Sequence, residues 1–113
     1  MNTFVHIGFS FAGVPKMLDL EPAIASVSED WIRYSTNTWI LMNPKPLAEI
    51  YIALREKIDT EDCILIIPLD LGSCIGRVPD WVWKWLNKNS GGITFGDHAT
   101  KLIADSVSPK RIK

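Results

Sequence analysis

The side chains that could do chemistry are few and dispersed along the chain. Asp70 follows an apolar run and precedes a glycine-containing loop from Gly72 to Gly76. Its carboxylate could help to hold a divalent cation if dimerisation brought two copies together, but an aspartate here is also typical of a turn, and we favour the turn. His6 alternates with apolar neighbours in the first β-rich run. Without a matched base or second ligand it is interpreted as a sheet residue.

Other polar side chains form no recognisable catalytic motif. Ser10 stands at the end of the first β-rich run, where it could simply cap the strand, and Asp97 and His98 stand at a predicted helix start. No nucleophile elbow or Walker spacing occurs. The two cysteines, Cys63 and Cys74, have no second pair to complete a metal site and are predicted to be reduced. We therefore predict no cofactor, and a divalent metal only if a nuclease site exists.

Length and composition bound the class of protein. At 113 residues, with 47% hydrophobic and 22% charged residues, the chain fits one globular domain. Its longest apolar stretches are far shorter than the roughly 18 to 20 residues that span a bilayer. No basic segment followed by an apolar run marks the N-terminus for secretion. We expect a cytoplasmic protein without a membrane partner.

Charge is distributed unevenly, although the net charge is only −1. Residues 1–76 carry five Lys or Arg against ten Asp or Glu, whereas residues 77–113 carry seven against three. Nucleic-acid binding requires clustered cations. The candidate contacts are Arg77 and the cluster of Lys110, Arg111 and Lys113, and the alternative is that the cluster is a solubilising tail.

Four β-rich runs can be placed. Thr3–Phe11 alternates, and two further runs flank the polar pair Thr36-Asn37 as a hairpin. The fourth, Cys63–Leu69, is continuously apolar, which predicts a strand that is central or heavily covered.

Helical periodicity falls between these runs. Asp19 is a candidate cap for a first helix, Asn43 and Pro44 are candidate N-cap and N1 residues for a second, and Pro79 opens a short tryptophan-rich third. The order βαββαβ predicts an α+β, ferredoxin-like split βαβ fold, with a four-stranded antiparallel sheet and two helices on one face. We predict a domain at residues 1–89 and a C-terminal extension at 90–113. The extension contains a possible edge strand from Ile93 to Phe95, a helix capped by Asp97, and the basic tail.

Several spaced segments together resemble one family. These are the aromatic hairpin, the second helix, the Asp62–Leu69 strand and the closure from Gly76 to Asn87. Over roughly residues 3–88 the chain resembles the small SinR-like proteins grouped with the CRISPR-associated protein two superfamily, the non-integrase subunit of spacer acquisition. The resemblance implies a homodimer whose C-terminal segments cross to the partner and, in some members, metal-dependent cleavage of nucleic acid.

The chain departs from that family where its chemistry would reside. Nuclease members carry an aspartate at the end of strand one, and here the stretch reads Gly8-Phe9-Ser10-Phe11. Neither serine nor phenylalanine replaces a carboxylate as a magnesium ligand. Ser10 would then mark a vestigial active-site position, and the weak catalytic candidates are Ser10 and Asp70.

We therefore expect a non-catalytic, homodimeric binding or scaffolding protein, possible partners being a second copy and nucleic acid. The predicted dimer interface comprises Trp81, Trp85, Ile93 and Phe95. Tryptophans can also stack on nucleic-acid bases, but for Trp81 and Trp85 we favour packing in the core or the interface. Two alternatives stay open. One is a metal-dependent endonuclease, for RNA or DNA, that uses other carboxylates such as Asp70. The other is a purely structural protein-interaction dimer.

Overall fold

Four strands and three α-helices are formed by residues 1–90, which are the residues described in a computed structural model of the chain. The elements are β1 (Phe4–Ser10), α1 (Met17–Ser26), β2 (Asp30–Ser35), β3 (Thr38–Met42), α2 (Leu47–Arg55), β4 (Cys63–Pro68), a 3-10 turn (Leu71–Ser73) and α3 (Asp80–Asn89). The strand predicted from Ile93 to Phe95, the helix predicted after it and the basic residues Lys110, Arg111 and Lys113 lie outside the described residues.

The strands form one antiparallel sheet in the order β2-β3-β1-β4. Each helical crossover, β1-α1-β2 and β3-α2-β4, skips one strand, so β1 and β3 occupy the centre. This order and connectivity confirm the predicted α+β class with a ferredoxin-like arrangement.

The core lies between one face of the sheet and helices α1 and α2. On β1 the alternation places Val5, Ile7 and Phe9 in the core cluster, with Trp39 and Leu41 of the neighbouring strand. The helices contribute the buried residues Leu20, Ala23, Ile24, Ile50 and Leu54. Trp39 meets the edge of Phe9, with ring centroids 5.2 Å apart, and the Arg33 guanidinium lies 4.9 Å from the Trp39 ring centroid. These contacts tie the three elements β1, β2 and β3 together.

Asn43 does not cap α2, contrary to the sequence prediction. It adopts a left-handed φ of 49°, a conformation that asparagine tolerates better than most residues. Its side-chain oxygen accepts the Thr3 N–H at 2.9 Å, and its amide nitrogen donates to the Glu29 carboxylate. Because the Asn43 side chain is used to hold the N-terminal segment, α2 begins only at Leu47, after Pro46.

The contacts within the chain divide it into two units. Asn2–Leu69 contains the sheet with α1 and α2, and the second unit contains Met1 together with Asp70 onwards. Within the second unit, Val82 and Leu86 of α3 are buried, whereas Trp81 is 48% exposed. The predicted boundary at residue 89 stays a prediction.

Candidate functional site

The strand β4 is the most exposed part of the sheet among the described residues. It is one of the two edge strands, the other being β2, and Leu65 and Ile67 are 63% and 45% exposed. The prediction that this strand is central or heavily covered was therefore wrong for the described part of the chain. The physical reason is that a continuous apolar run fits a strand buried on both faces, and it fits equally an edge strand with one exposed apolar face.

One hydrogen bond just beyond the end of β4 shows which of its residues direct their backbone N–H and C=O groups towards β1. The Leu69 N–H donates to the Phe4 carbonyl at 2.9 Å, so these opposed residues form a hydrogen-bonded pair. Hydrogen-bonded pairs alternate along an antiparallel ladder. The backbone groups of Cys63, Leu65 and Ile67 consequently point to β1, and those of the alternate residues point outward.

The outward edge of β4 can pair with only a short strand, because few of its backbone N–H groups are available. Ile64 and Ile66 direct N–H groups outward, whereas Pro68 has no N–H to offer. At the other end, the Asp62 N–H already donates to the Asp59 carbonyl. The edge therefore has two N–H donors for a further strand, flanked by apolar side chains and no charged residue within β4.

His6 and Tyr34 form the closest side-chain pair on the sheet face opposite the helices. The His6 Nε2 lies 2.6 Å from the Tyr34 hydroxyl. Tyr34 lies on this face by the alternation of β2, because it is two residues after Ile32, and Ile32 and His6 both pair with Ile40 of β3. The hydrogen bond therefore spans the intervening strand β3.

Burial sets the protonation of this pair. It lowers the pKa of His6 and raises the pKa of Tyr34. Both shifts favour the neutral forms, so a neutral imidazole nitrogen can accept a hydrogen bond from the Tyr34 hydroxyl. Across the sheet His6 faces Ile40 and Ile67, not a carboxylate. The pair is thus a structural hydrogen bond next to Gly8, whose missing side chain leaves open space above the sheet.

Asp70 has a local structural partner, as the turn interpretation predicts. Its Oδ1 accepts the Gly72 N–H at 3.1 Å and caps the 3-10 turn. The nearby Cys74 donates weakly to the Leu71 carbonyl at 3.5 Å. Burial, aided by the negative charge of Asp70, raises the pKa of Cys74 and favours its thiol form.

Ser10 is exposed at the end of β1, opposite Cys63 of β4. Both Cys63 and Cys74 are free, as predicted. Within residues 1–90, no group of three His, Cys, Asp or Glu side chains is placed to hold a metal ion. The residue in register with Ser10 on β4 is therefore a cysteine and not a carboxylate.

Asp62 is a polar anchor that the sequence analysis did not identify. Its two carboxylate oxygens accept the Ala12 N–H at 2.7 Å and the Asp59 N–H at 2.9 Å. The bond to Asp59 is local and typical of an aspartate turn, but the bond to Ala12 joins loops fifty residues apart. Only the first could have been inferred from the sequence.

Arg77 is exposed in the loop before α3, and no described helix is both long and apolar enough to cross a membrane. Its predicted companions Lys110, Arg111 and Lys113 lie beyond the described residues, as do Ile93 and Phe95 of the predicted interface. Comparison of the chain with family models, with curated proteins and with solved structures found no match.

Proposed function

We propose that this chain is a non-catalytic homodimeric binding or scaffolding protein, of the kind that the resemblance to SinR-like proteins implies, and that it associates with nucleic acid. The observation that carries the proposal is the apolar edge of β4, with which no further strand pairs within residues 1–90. An edge with exposed leucine and isoleucine and no charge invites strand pairing, because proteins that stay monomeric usually protect such edges with charge or cover them.

The predicted occupant of this edge is the Ile93–Phe95 segment of a second copy. A three-residue β-rich segment matches an edge that offers only two outward N–H donors, from Ile64 and Ile66. Two such exchanges related by a two-fold axis would close the dimer, since each copy gives one segment and receives one. Trp81, which is also predicted to contribute to a dimer interface, is half exposed.

A binding role is favoured over catalysis by the surroundings of the two catalytic candidates. Asp70 is used as a turn cap, and Ser10 stands where nuclease members have a carboxylate. A turn-capping carboxylate is held by its backbone partner and is less available to a cation. The nucleic-acid part of the proposal rests on the basic residues 77–113, in which Arg77 is exposed.

The dimer is tested by charging the edge. Light scattering should give a dimeric mass for the full chain and a monomeric mass for Leu65→Lys, because a lysine on β4 opposes strand pairing. The matched control is Val14→Lys, which also converts an exposed apolar residue, in a loop, and should stay dimeric. A wild-type monomer, or a dimer that Leu65→Lys leaves intact, would reject the edge as the interface.

Nucleic-acid association is tested by titrating labelled duplex DNA and single-stranded RNA at several salt concentrations. Binding should weaken as salt rises, and replacing Lys110, Arg111 and Lys113 by glutamine should reduce the salt dependence by up to about three counterions. No salt-dependent shift with either polymer would favour the purely structural dimer. Cleavage with Mg²⁺ or Mn²⁺ that disappears in Asp70→Ala would instead support the endonuclease.

A further inference from the structure

The outward edge of β4 is complementary to a second copy of itself. Ile64 and Ile66 each direct a backbone N–H and a carbonyl away from β1. Within residues 1–90 no strand lies beyond β4, and none of its residues, Cys63–Pro68, is charged. Charged side chains are a common protection of edge strands against pairing with another copy. This edge lacks that protection within the strand.

We infer that β4 pairs with β4 of a second copy, antiparallel and across a two-fold axis at Leu65. In this register Ile64 lies opposite the partner's Ile66, and Ile66 lies opposite the partner's Ile64. Each of these two pairs is a reciprocal hydrogen-bonded pair, so the four outward N–H groups of Ile64 and Ile66 in the two copies all meet carbonyl acceptors. A two-fold interface is formed by the same residues in both copies, and this pairing meets that condition.

The two ends of the edge select this register. Pro68 has no N–H, and the Asp62 N–H already donates to the Asp59 carbonyl at 3.0 Å. With Leu65 opposite the partner's Leu65, Pro68 lies opposite the partner's Asp62, so the two positions without a free donor face each other. A shift of two residues in either direction would place a carbonyl within the ladder opposite one of these positions and leave it without a donor.

The side chains that this register brings together are apolar on both faces of the sheet. On the face opposite the helices, Leu65 meets the partner's Leu65, and Ile67 meets the partner's Cys63. Leu65 and Ile67 are the two exposed large apolar residues of β4. On the helix face, Ile64 meets the partner's Ile66, and both residues are partly buried against the core. The pairing therefore removes apolar surface from water on both faces.

A groove beside β4 adds apolar surface on the helix face. It has a volume of about 400 Å³, and Tyr51 of α2, Ile58 and Ile64 contribute to its lining. Directly opposed residues of paired strands have Cβ atoms about 4.5–5.5 Å apart. The partner's Ile66 therefore lies beside Ile64, at the border of this groove. Contact with the groove supplements the small area that two short strands bury by themselves.

This pairing rests on the proposed homodimer and gives its edge a different occupant. The sequence predicts the Ile93–Phe95 segment in that place, whereas a second β4 matches the edge with described residues alone. The two outward donors serve one added strand, so the two occupants exclude each other. A test therefore has to separate a dimer that is paired through β4 from a dimer that is formed in another way.

Cysteine cross-linking of the full chain measures the register directly. With both native cysteines replaced by serine, Leu65→Cys gives two directly opposed thiols in a non-hydrogen-bonded pair, with Cα atoms about 4.5 Å apart. A disulfide spans a Cα separation of about 4.4–6.8 Å. The matched control is Ile67→Cys in the same background, because Ile67 is exposed on the same face of the same strand. Its two copies would be about 13 Å apart along the strands, too far for a disulfide.

Mild oxidation should convert Leu65→Cys to a covalent dimer at least about tenfold faster than Ile67→Cys, because only the first pair of thiols is held together by the interface. Retaining Cys63 supplies a second variant. With Cys74→Ser as the background, Ile67→Cys lies opposite the partner's Cys63 and should cross-link within about threefold of the rate of Leu65→Cys. Cys63 without Ile67→Cys should cross-link slowly, since the partner's Cys63 is about 13 Å away.

Light scattering and titration with duplex DNA on the same proteins separate the pairing from the proposed function. A dimeric mass with equal cross-linking rates for Leu65→Cys and Ile67→Cys would reject this pairing and leave the homodimer to another contact. Selective cross-linking of Leu65→Cys in a dimer that binds no nucleic acid would support the pairing and reject the nucleic-acid part of the proposed function. A monomeric mass with slow cross-linking of both variants would reject the pairing and the homodimer together.

Discussion

Replacing Tyr34 by phenylalanine removes the hydroxyl that lies 2.6 Å from His6 Nε2 and changes little else. A neutral hydrogen bond contributes a net of about 0.5–1.5 kcal/mol, and leaving a buried partner unsatisfied costs about 1–3 kcal/mol. Both side chains are only part-buried, so water can replace some of the lost bond. We expect a loss of about 1 kcal/mol in the free energy of unfolding, which for a domain of 60–100 residues lowers the Tm by about 4–8 °C.

Thermal and urea unfolding, followed by circular dichroism, measure this loss. The control is Tyr51→Phe, because Tyr51 is exposed and its ring lies beside Arg55 at 5.6 Å. That variant should stay within about 0.5 kcal/mol of the wild type. A double-mutant cycle with His6→Asn should give a coupling energy of at least about 0.5 kcal/mol between the paired side chains. A coupling near zero would refute the proposed hydrogen bond.

Three further predictions concern groups with resolved partners. Burial lowers the pKa of His6, so the unfolded chain binds a proton at this residue first as the pH falls. The contribution of His6 to the free energy of unfolding should therefore be full above pH ~6.5 and decline below it. Urea unfolding at pH 7.5 and 5.5 should show this decline in the wild type and not in His6→Asn. Asp62→Ala should lower the free energy of unfolding by about 1–2 kcal/mol through loss of the bonds to two backbone N–H groups, one of them from Ala12, and a thermal melt equal to wild type would contradict this. Asp70→Ala should lower the free energy of unfolding by about 0.5–1 kcal/mol, because it removes the side-chain oxygen that accepts the Gly72 N–H. Asp70→Asn keeps such an oxygen and should retain most of that free energy, so equal melting temperatures for the two variants would count against the cap.

The sheet and its connections could be predicted from the sequence because they depend on local periodicity. The hairpin was predicted from two β-rich runs around Thr36-Asn37, and β3 has the predicted bounds Thr38–Met42. The split βαβ order then follows from the alternation of elements. The turn role of Asp70 was likewise predictable, since it depends on a residue two positions away.

Long-range relations were not predictable in the same way. Asn43 is a normal helix cap by its sequence context, but its side chain is used by Thr3, forty residues away. The pairing of His6 with Tyr34 depends on the register of β2 and β1 against β3, and register leaves no periodic signal in the sequence. The placement of β4 at the edge also could not be predicted from local sequence, because the length and polarity of Cys63–Leu69 fit a central strand equally well.

The edge of β4 limits what can pair with it, whichever copy supplies the partner. A strand added beyond Pro68 would meet a residue without an N–H, and a strand added before Cys63 would meet the Asp62 N–H, which is already bonded. Only a short partner segment is fully matched by the donors of Ile64 and Ile66. Short pairing contributes little area compared with the roughly 800 Å² that each partner buries in a stable interface. A dimer built on this edge therefore requires side-chain packing by Leu65 and Ile67 as well, which is why a single lysine at Leu65 is expected to dissociate it.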